Sequence, residues 1–337
     1  MTTFLEAGIL AFSAVIGGIC AVSDIRRGII PNRVLLIGLA GGIPFHLVFL
    51  LSGSAFYYPT WLINMLIADA LAFVMYYNRL WAAGDAKLFI VLYYLFPPLL
   101  LDVGLYTYSV VPYIFIFLPA LVWILADTVI SLIRREPRKA IPLQPKKILK
   151  NVFTVMIEST ALYCVISLIP GEFTAENGLF VSLLMMCYAY FCSSNRTMKR
   201  WYVILIHAVI AAVPLFLGRG INVLPDWRSL LTLILVIGIQ HFVSLYNYRK
   251  IPTADVKAGM ILSADTVLSF QKSRVQGLPA DPSEELTAKI DEEQAATVRR
   301  WEQSAYGAPT VWTVRKVPFG SMIALGFVLW AIVRIAG

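Results

Sequence analysis

Apolar stretches with few charges recur along the chain, and most are about as long as a segment that crosses a membrane. A span needs roughly 20 mostly apolar residues, and its backbone must satisfy its own hydrogen bonds, which favours helices. Because 59% of the 337 residues are hydrophobic and only 14% are charged, we predict an all-α polytopic membrane protein with about ten transmembrane helices. The stretches are Leu5–Val22, Val34–Leu51, Trp61–Tyr77, Leu88–Leu101, Val111–Ile133, Val152–Ile169, Leu179–Cys192, Trp201–Leu217, Leu230–Tyr246 and Phe319–Ile335.

Lysine and arginine concentrate in the loops after alternate stretches, beginning with Arg26 and Arg27 after the first. The intervening loops are poor in cations, and Ser52–Thr60 has none. Short cytoplasmic loops carry an excess of these residues, so we expect both termini outside a prokaryotic cell membrane. The net charge of +8 then reflects topology, and contact with anionic lipids explains it better than nucleic-acid binding.

One long polar stretch, residues 247–317, predicts a small α+β cytoplasmic subdomain before the last helix. Alternating residues predict strands at Val256–Leu262 and Val311–Val317. Pro282 after Asp281, with Glu284 following, is typical of a helix start, and that helix is predicted to end near Ser304. The expected divisions are a catalytic core at 1–135, an inserted four-helix region at 136–249, the subdomain at 250–317 and a final helix at 318–337.

Two aspartates lie at the ends of apolar stretches, where carboxylates are rare and are functional candidates by default. Asp24 closes the first stretch, and Asp85 opens the fourth. One outgoing helix, one returning helix and two short turns separate them, so both side chains are expected at the same cytoplasmic level.

Such a pair suits acid–base proteolysis. Two adjacent carboxyls hold one proton between them near neutral pH, because ionising both is costly. The ionised member takes a proton from a water that attacks a peptide carbonyl, while the protonated member donates to the oxyanion and then to the leaving amine. No covalent intermediate, cofactor or metal is needed.

Four neighbouring residues are candidates for supporting roles. Gly84 allows close backbone approach or a positive φ beside Asp85. Pro31 favours an extended backbone before it, which suits strand-like pairing with a substrate, and Asn32 is expected to cap helix two or to bond Asp24. Lys87 either marks the cytoplasmic side or tunes Asp85. Ordinary turn chemistry is the favoured explanation of Pro31 and Asn32, and topology is the favoured explanation of Lys87.

The remaining ionisable and thiol groups within the stretches favour structural roles. We expect Asp69 and Asp127 to be protonated, paired or lining a groove. The three histidines lack metal-ligand spacing, and the four cysteines include no C-x-x-C pair that would indicate zinc or a disulfide framework. These residues are His46, His207, His241, Cys20, Cys164, Cys187 and Cys192.

The two aspartate motifs together resemble those of the type IV prepilin peptidases, membrane aspartic proteases of the GxGD kind. The D-x-x-x-x-x-I-P-N run from Asp24 to Asn32 and the G-D-x-K run from Gly84 to Lys87 carry the resemblance. The tail, Val317-Pro318-Phe319 before the last helix, looks most like the archaeal branch. The resemblance covers about residues 1–135 and 250–337.

That resemblance implies that Asp24 and Asp85 are catalytic. It implies a substrate with a short basic leader ending in glycine, cut before a hydrophobic helix at the cytoplasmic membrane face. Methyl transfer, known in bacterial relatives, is not implied here, because the cysteine tetrad of their zinc domain is missing. Ala82 departs from the pattern, since it stands where the family has the first motif glycine.

Two other functions fit the same residues. An inactive membrane subunit that only binds pilin-like helices is compatible with Ala82 and with the inserted region. A proton-coupled transporter also uses intramembrane carboxylates, but it would be expected to show internal repeats, and none is evident between residues 1–135 and 136–249. Cleavage of a prepilin separates the peptidase from both.

Overall fold

A computed structural model of the protein describes residues 2–77, 80–103, 105, 107–137, 157, 161, 164, 201–216, 246–284, 288–315 and 317–336. The predicted stretches Val152–Ile169, Leu179–Cys192 and Leu230–Tyr246 lie almost wholly outside these residues. The total of ten helices and the boundaries of the four predicted divisions therefore stay predictions.

Helices dominate the described part of the chain. Five of them, α1, α2, α3, α5 and α9, are long and apolar enough to cross a membrane, which confirms the membrane class. The helices are α1 (Thr2–Arg27), α2 (Asn32–Leu51), α3 (Tyr58–Tyr77), α4 (Ala83–Tyr94), α5 (Val111–Ile133), α6 (Trp201–Phe216), α7 (Ala264–Phe270), α8 (Glu292–Trp301) and α9 (Phe319–Ala336).

The short helix α4 lies at the centre of the bundle. It has 12 residues, and at 1.5 Å per residue its length of about 18 Å is less than the thickness of the hydrocarbon core. Pro97 and Pro98 follow closely and cannot continue the helix, because proline has no backbone N–H. Leu88 and Phe89 are fully buried, and α4 contacts α2, α3 and α9. The first turn of α4 therefore lies at the centre of one end of the bundle.

The last helix, α9, packs against both α1 and α5, although most of the chain separates it from α1. Trp330 stacks on Phe96 with ring centroids 3.7 Å apart. At the end of α9 remote from Phe319, the Nε atom of Arg334 donates to the carbonyl of Leu100 at 2.7 Å. The final helix is thus part of the same bundle as the first five.

A polar subdomain, the described residues 246–284 and 288–315, precedes α9. Strands β1 (Tyr248–Pro252) and β2 (Thr310–Val314) pair antiparallel. Helix α8 packs its buried residues Val298 and Trp301 into a small core with Phe270 of α7. The prediction of a small α+β unit at this place agrees with these elements.

Two local predictions within the polar subdomain were wrong. Val256–Leu262 is not a strand, because β2 pairs instead with Tyr248–Pro252 and only Ile261 and Leu262 form isolated bridges. The helix does not start at Pro282. It starts at Glu292, where Asp291 and Gln294 cap each other's backbone N–H groups.

Ion pairing fastens the polar subdomain to the bundle. The Nε atom of Arg315, just after β2, lies 2.6 Å from Oδ2 of Asp127 in α5. Its Nη1 atom donates to the hydroxyl of Thr128 at 3.0 Å. The subdomain therefore faces the end of the bundle at which α1 and α5 end and α4 and α9 begin.

Candidate active site

A cavity of about 1220 Å³ lies between the polar subdomain and this end of the bundle. Its walls come from the end of α1 and the turn after it, the start of α4, the end of α5 and the polar subdomain. Asp24 and Asp85 both line it. The two aspartates that the sequence singled out thus line the same cavity.

Asp24 lies in the last turn of α1 and is 7% exposed. Its Oδ2 atom accepts a hydrogen bond of 3.0 Å from the backbone N–H of Gly320, in the first turn of α9. First-turn N–H groups have no partner within their own helix, so a carboxylate there satisfies one of them. The sequence analysis missed Gly320, although it lies directly after the Val317-Pro318-Phe319 run.

Asp85 lies in the first turn of α4 and is 8% exposed. Its Oδ2 atom accepts from the backbone N–H of Ala82 at 3.2 Å. Each aspartate is therefore held through one oxygen by an amide at the beginning of a helix.

The side chain of Ile30 connects the surroundings of the two aspartates. A Cβ atom on Gly84 would lie 3.2 Å from Cβ of Ile30, and one on Gly320 would lie 2.9 Å from its Cδ1. Gly84 therefore permits close approach, as one of the two predictions stated. The other alternative, a positive φ at Gly84, is not used.

The other supporting residues connect the two motifs. The Nζ atom of Lys87 donates to Oδ1 of Asn32 at 3.3 Å, which joins the N-terminal part of α4 to the first turn of α2. Pro31, with an extended backbone, occupies the cap position of α2. Asn32 is thus the first residue of that helix and not its cap.

Ala82 fits the backbone that it occupies. Its φ of −71° and ψ of 156° are extended values that any L-residue adopts. Position 82 therefore needs no glycine for its backbone conformation, although the motif has one there. What position 82 contributes to Asp85 is its backbone N–H.

Asp127 and Asp69, for which the sequence favoured structural roles, have different surroundings. Asp127 lines the same cavity, and it is paired with Arg315 and, at 3.8 Å, with Arg249. Asp69 lies within α3, and its Oδ1 atom is buried without a hydrogen-bond partner. Asp127 thus links the subdomain to the site, whereas Asp69 does not line the cavity.

The histidines within the described part of the chain have hydrogen bonds that suit structural roles. Nδ1 of His46 lies 2.9 Å from the hydroxyl of Tyr58, and Nε2 lies 2.8 Å from the carbonyl of Tyr94. Nδ1 of His207 lies 2.8 Å from the carbonyl of Val203. Among the described residues, no group of three or more His, Cys, Asp or Glu side chains is arranged to hold a metal.

Glu284 also lines the cavity and holds two parts of the polar subdomain together. Its Oε2 atom accepts from the hydroxyl of Tyr248 at 2.7 Å, and Oε1 accepts from the backbone N–H of Ala264 at 2.6 Å. Burial raises the pKa of Tyr248 well above its ordinary value, and the hydrogen bond to Glu284 raises it further.

Cationic side chains outnumber carboxylates among the described residues that line the cavity. The net positive lining favours a neutral or anionic segment over a lysine-rich one in its interior. The cations are Arg26, Arg27, Lys87, Arg249, Lys257, Lys289 and Arg315, and the carboxylates are Asp24, Asp85, Asp127 and Glu284.

The fold and the site define a helical membrane protein with two buried carboxylates on one cavity at the ends of its helices. Residues 11–131, just over a third of the chain, match the sequence model of the type IV leader peptidase family. This segment of the chain is therefore similar to a family of peptidases. Comparisons with curated proteins and with solved structures found no significant match.

Proposed function

We propose that this protein is an aspartic endopeptidase that removes the leader of prepilin-like or pre-archaellin-like proteins at the cytoplasmic face of the cell membrane. The observation that supports it most is the shared cavity of Asp24 and Asp85, whose exposed fractions are 7% and 8%. Buried carboxylates that converge on one cavity are typical of acid–base chemistry. The family match supports the peptidase class.

In the proposed reaction, one carboxylate takes a proton from the attacking water and the other donates to the carbonyl oxygen and then to the leaving amine. In each aspartate, Oδ2 accepts a hydrogen bond from a backbone N–H, which restricts the orientation of the carboxyl group. Hydrolysis proceeds by direct attack of water, without an acyl-enzyme.

The proposed substrate has its hydrophobic helix in the bilayer and its leader in the cytoplasm. Arg26 and Arg27 in the last turn of α1 support this orientation, because such residues mark the cytoplasmic side. Since the cavity lining is net positive, we place only the residues next to the cut bond inside the cavity. The basic residues of the leader lie at its opening, where water screens their charge.

Cleavage of a candidate prepilin by the purified protein in lipid tests this proposal. We expect Asp24→Asn and Asp85→Asn each to lower the cleavage rate at least about a hundredfold, the usual range for loss of a general acid or base. Asp255→Asn is the matched control, because Asp255 is exposed and lies outside the cavity lining. It should cleave at the parent rate.

Two results contradict the proposal. Binding of the prepilin by the parent protein without cleavage assigns it to an inactive subunit. Proton-coupled flux of a solute across liposomes, lost in the same aspartate variants, assigns it to a transporter.

A further inference from the structure

Phe319 and Gly320, the first two residues of α9, contact the surroundings of both aspartates. The N–H of Gly320 donates to Asp24 at 3.0 Å. The ring of Phe319 packs against Trp81, with centroids 5.8 Å apart. Trp81 directly precedes Ala82, whose N–H donates to Asp85. The start of the last helix thus connects two motifs that belong to the opposite end of the sequence.

Gly320 is buried, and the space around it admits no side chain without a shift. A Cβ atom there would lie 3.1 Å from Oδ2 of Asp24 and 2.9 Å from Cδ1 of Ile30. Both distances are shorter than ordinary van der Waals contacts. Glycine at this position therefore lets the first turn of α9 approach to hydrogen-bond distance of Asp24.

We propose that Phe319 and Gly320 form a positioning element for the aspartate pair, an inference that rests on the proposed function. The N–H of Gly320 restricts rotation of the Asp24 carboxylate, and the contact of Phe319 with Trp81 fixes α9 relative to the turn that holds Asp85. Neither residue reacts with the substrate. A displacement of a catalytic group by about 1 Å costs on the order of a hundredfold in rate, so the rate depends on this element.

Steady-state cleavage kinetics of Gly320→Ala provide the first test. We expect kcat to fall at least about tenfold, while KM stays within about twofold, because positioning acts on the chemical step and not on substrate binding. Gly18→Ala is the matched control, since a Cβ there meets no atom within 4 Å. It should leave both constants at the parent values.

A second variant separates positioning from packing. Ile30→Val removes Cδ1, the atom nearest to the new methyl group, but leaves Oδ2 of Asp24 at 3.1 Å. The double variant Gly320→Ala with Ile30→Val should therefore keep the low kcat, relative to Ile30→Val alone. Recovery of kcat in the double variant means that Gly320 serves only packing, and it overturns the inference.

Amide resonances of protein labelled with ¹⁵N-glycine test the contact without any peptidase activity. The Gly320 resonance should shift in Asp24→Asn and stay in place in Asp255→Asn. No response to Asp24→Asn overturns the inference whether or not the protein cleaves prepilin. A response in a protein that cleaves no prepilin removes the proposed function but leaves the contact between α9 and Asp24 established.

Discussion

Arg315 fastens the polar subdomain to the end of α5, so Arg315→Ala is expected to weaken this docking. The side chain is 9% exposed, with an ion pair of 2.6 Å to Asp127 and a hydrogen bond of 3.0 Å to Thr128. Alanine removes both contacts and leaves the carboxylate of Asp127 without its nearest cation.

The expected loss follows from these contacts. A hydrogen bond to a charged group contributes about 1.5–3 kcal/mol. Because the Asp127 side chain is 29% exposed, water replaces part of the lost interaction, and the value is discounted. We expect about 2 kcal/mol of lost docking free energy, roughly thirtyfold in the equilibrium between docked and undocked states.

Limited proteolysis of the polar subdomain measures this change, because cleavage of a transiently open state tracks its population when opening is fast. The protease should not cut at arginine, because the substitution of Arg315 would then remove a cleavage site. Thermal unfolding of the same samples in detergent provides an independent measure.

Arg249→Ala is the control on the same carboxylate. Arg249 lies 3.8 Å from Asp127, and its side chain is 52% exposed, so its removal should cost less than about 0.5 kcal/mol. Equal proteolysis rates for Arg315→Ala and Arg249→Ala would refute the argument from burial.

Two further substitutions test the site and the polar subdomain. Ala82→Gly restores the motif glycine, but the extended backbone at this position does not need it, so cleavage should stay within about twofold and stability should fall by about 0.4–1 kcal/mol. A tenfold gain in rate would show that position 82 moves to a positive φ during turnover. Because the pKa of Tyr248 is raised in the folded protein, the contribution of this residue to stability is fully present below the ordinary tyrosine pKa of about 10. It is lost progressively as the pH rises above that value. Thermal unfolding of Tyr248→Phe should show less of this alkaline loss, and equal losses would contradict the assignment.

The membrane helices were predictable because each depends on its own residues. A long apolar stretch such as that of α2 is unfavourable in water, and in lipid it forms a helix without a distant partner, because the helix satisfies its own backbone hydrogen bonds. The bounds of α4, which starts at Ala83 and ends at Tyr94, were less predictable. The turn at Ala82 and the two prolines set its ends, and the hydrophobicity of its residues does not.

The polar subdomain shows where local patterns are insufficient. Val256–Leu262 alternates like a strand, yet β2 pairs with Tyr248–Pro252. Strand pairing depends on the cross-strand partner and on burial, and a short alternating run does not encode either. The start of α7 at Ala264, capped by Ser263, was missed, although a serine before a helix was the available signal.

The sequence alone indicated the membrane class, because lipid penalises charged groups within a span. It also predicted that Asp24 and Asp85 lie at the same end of the helices, because successive spans alternate in direction. Only the tertiary structure decided which backbone amides hold those carboxylates and which subdomain closes the cavity. The bond between Gly320 and Asp24 joins residues that are 296 positions apart. Such a contact depends on tenths of an ångström in helix packing, which no local pattern of residues specifies.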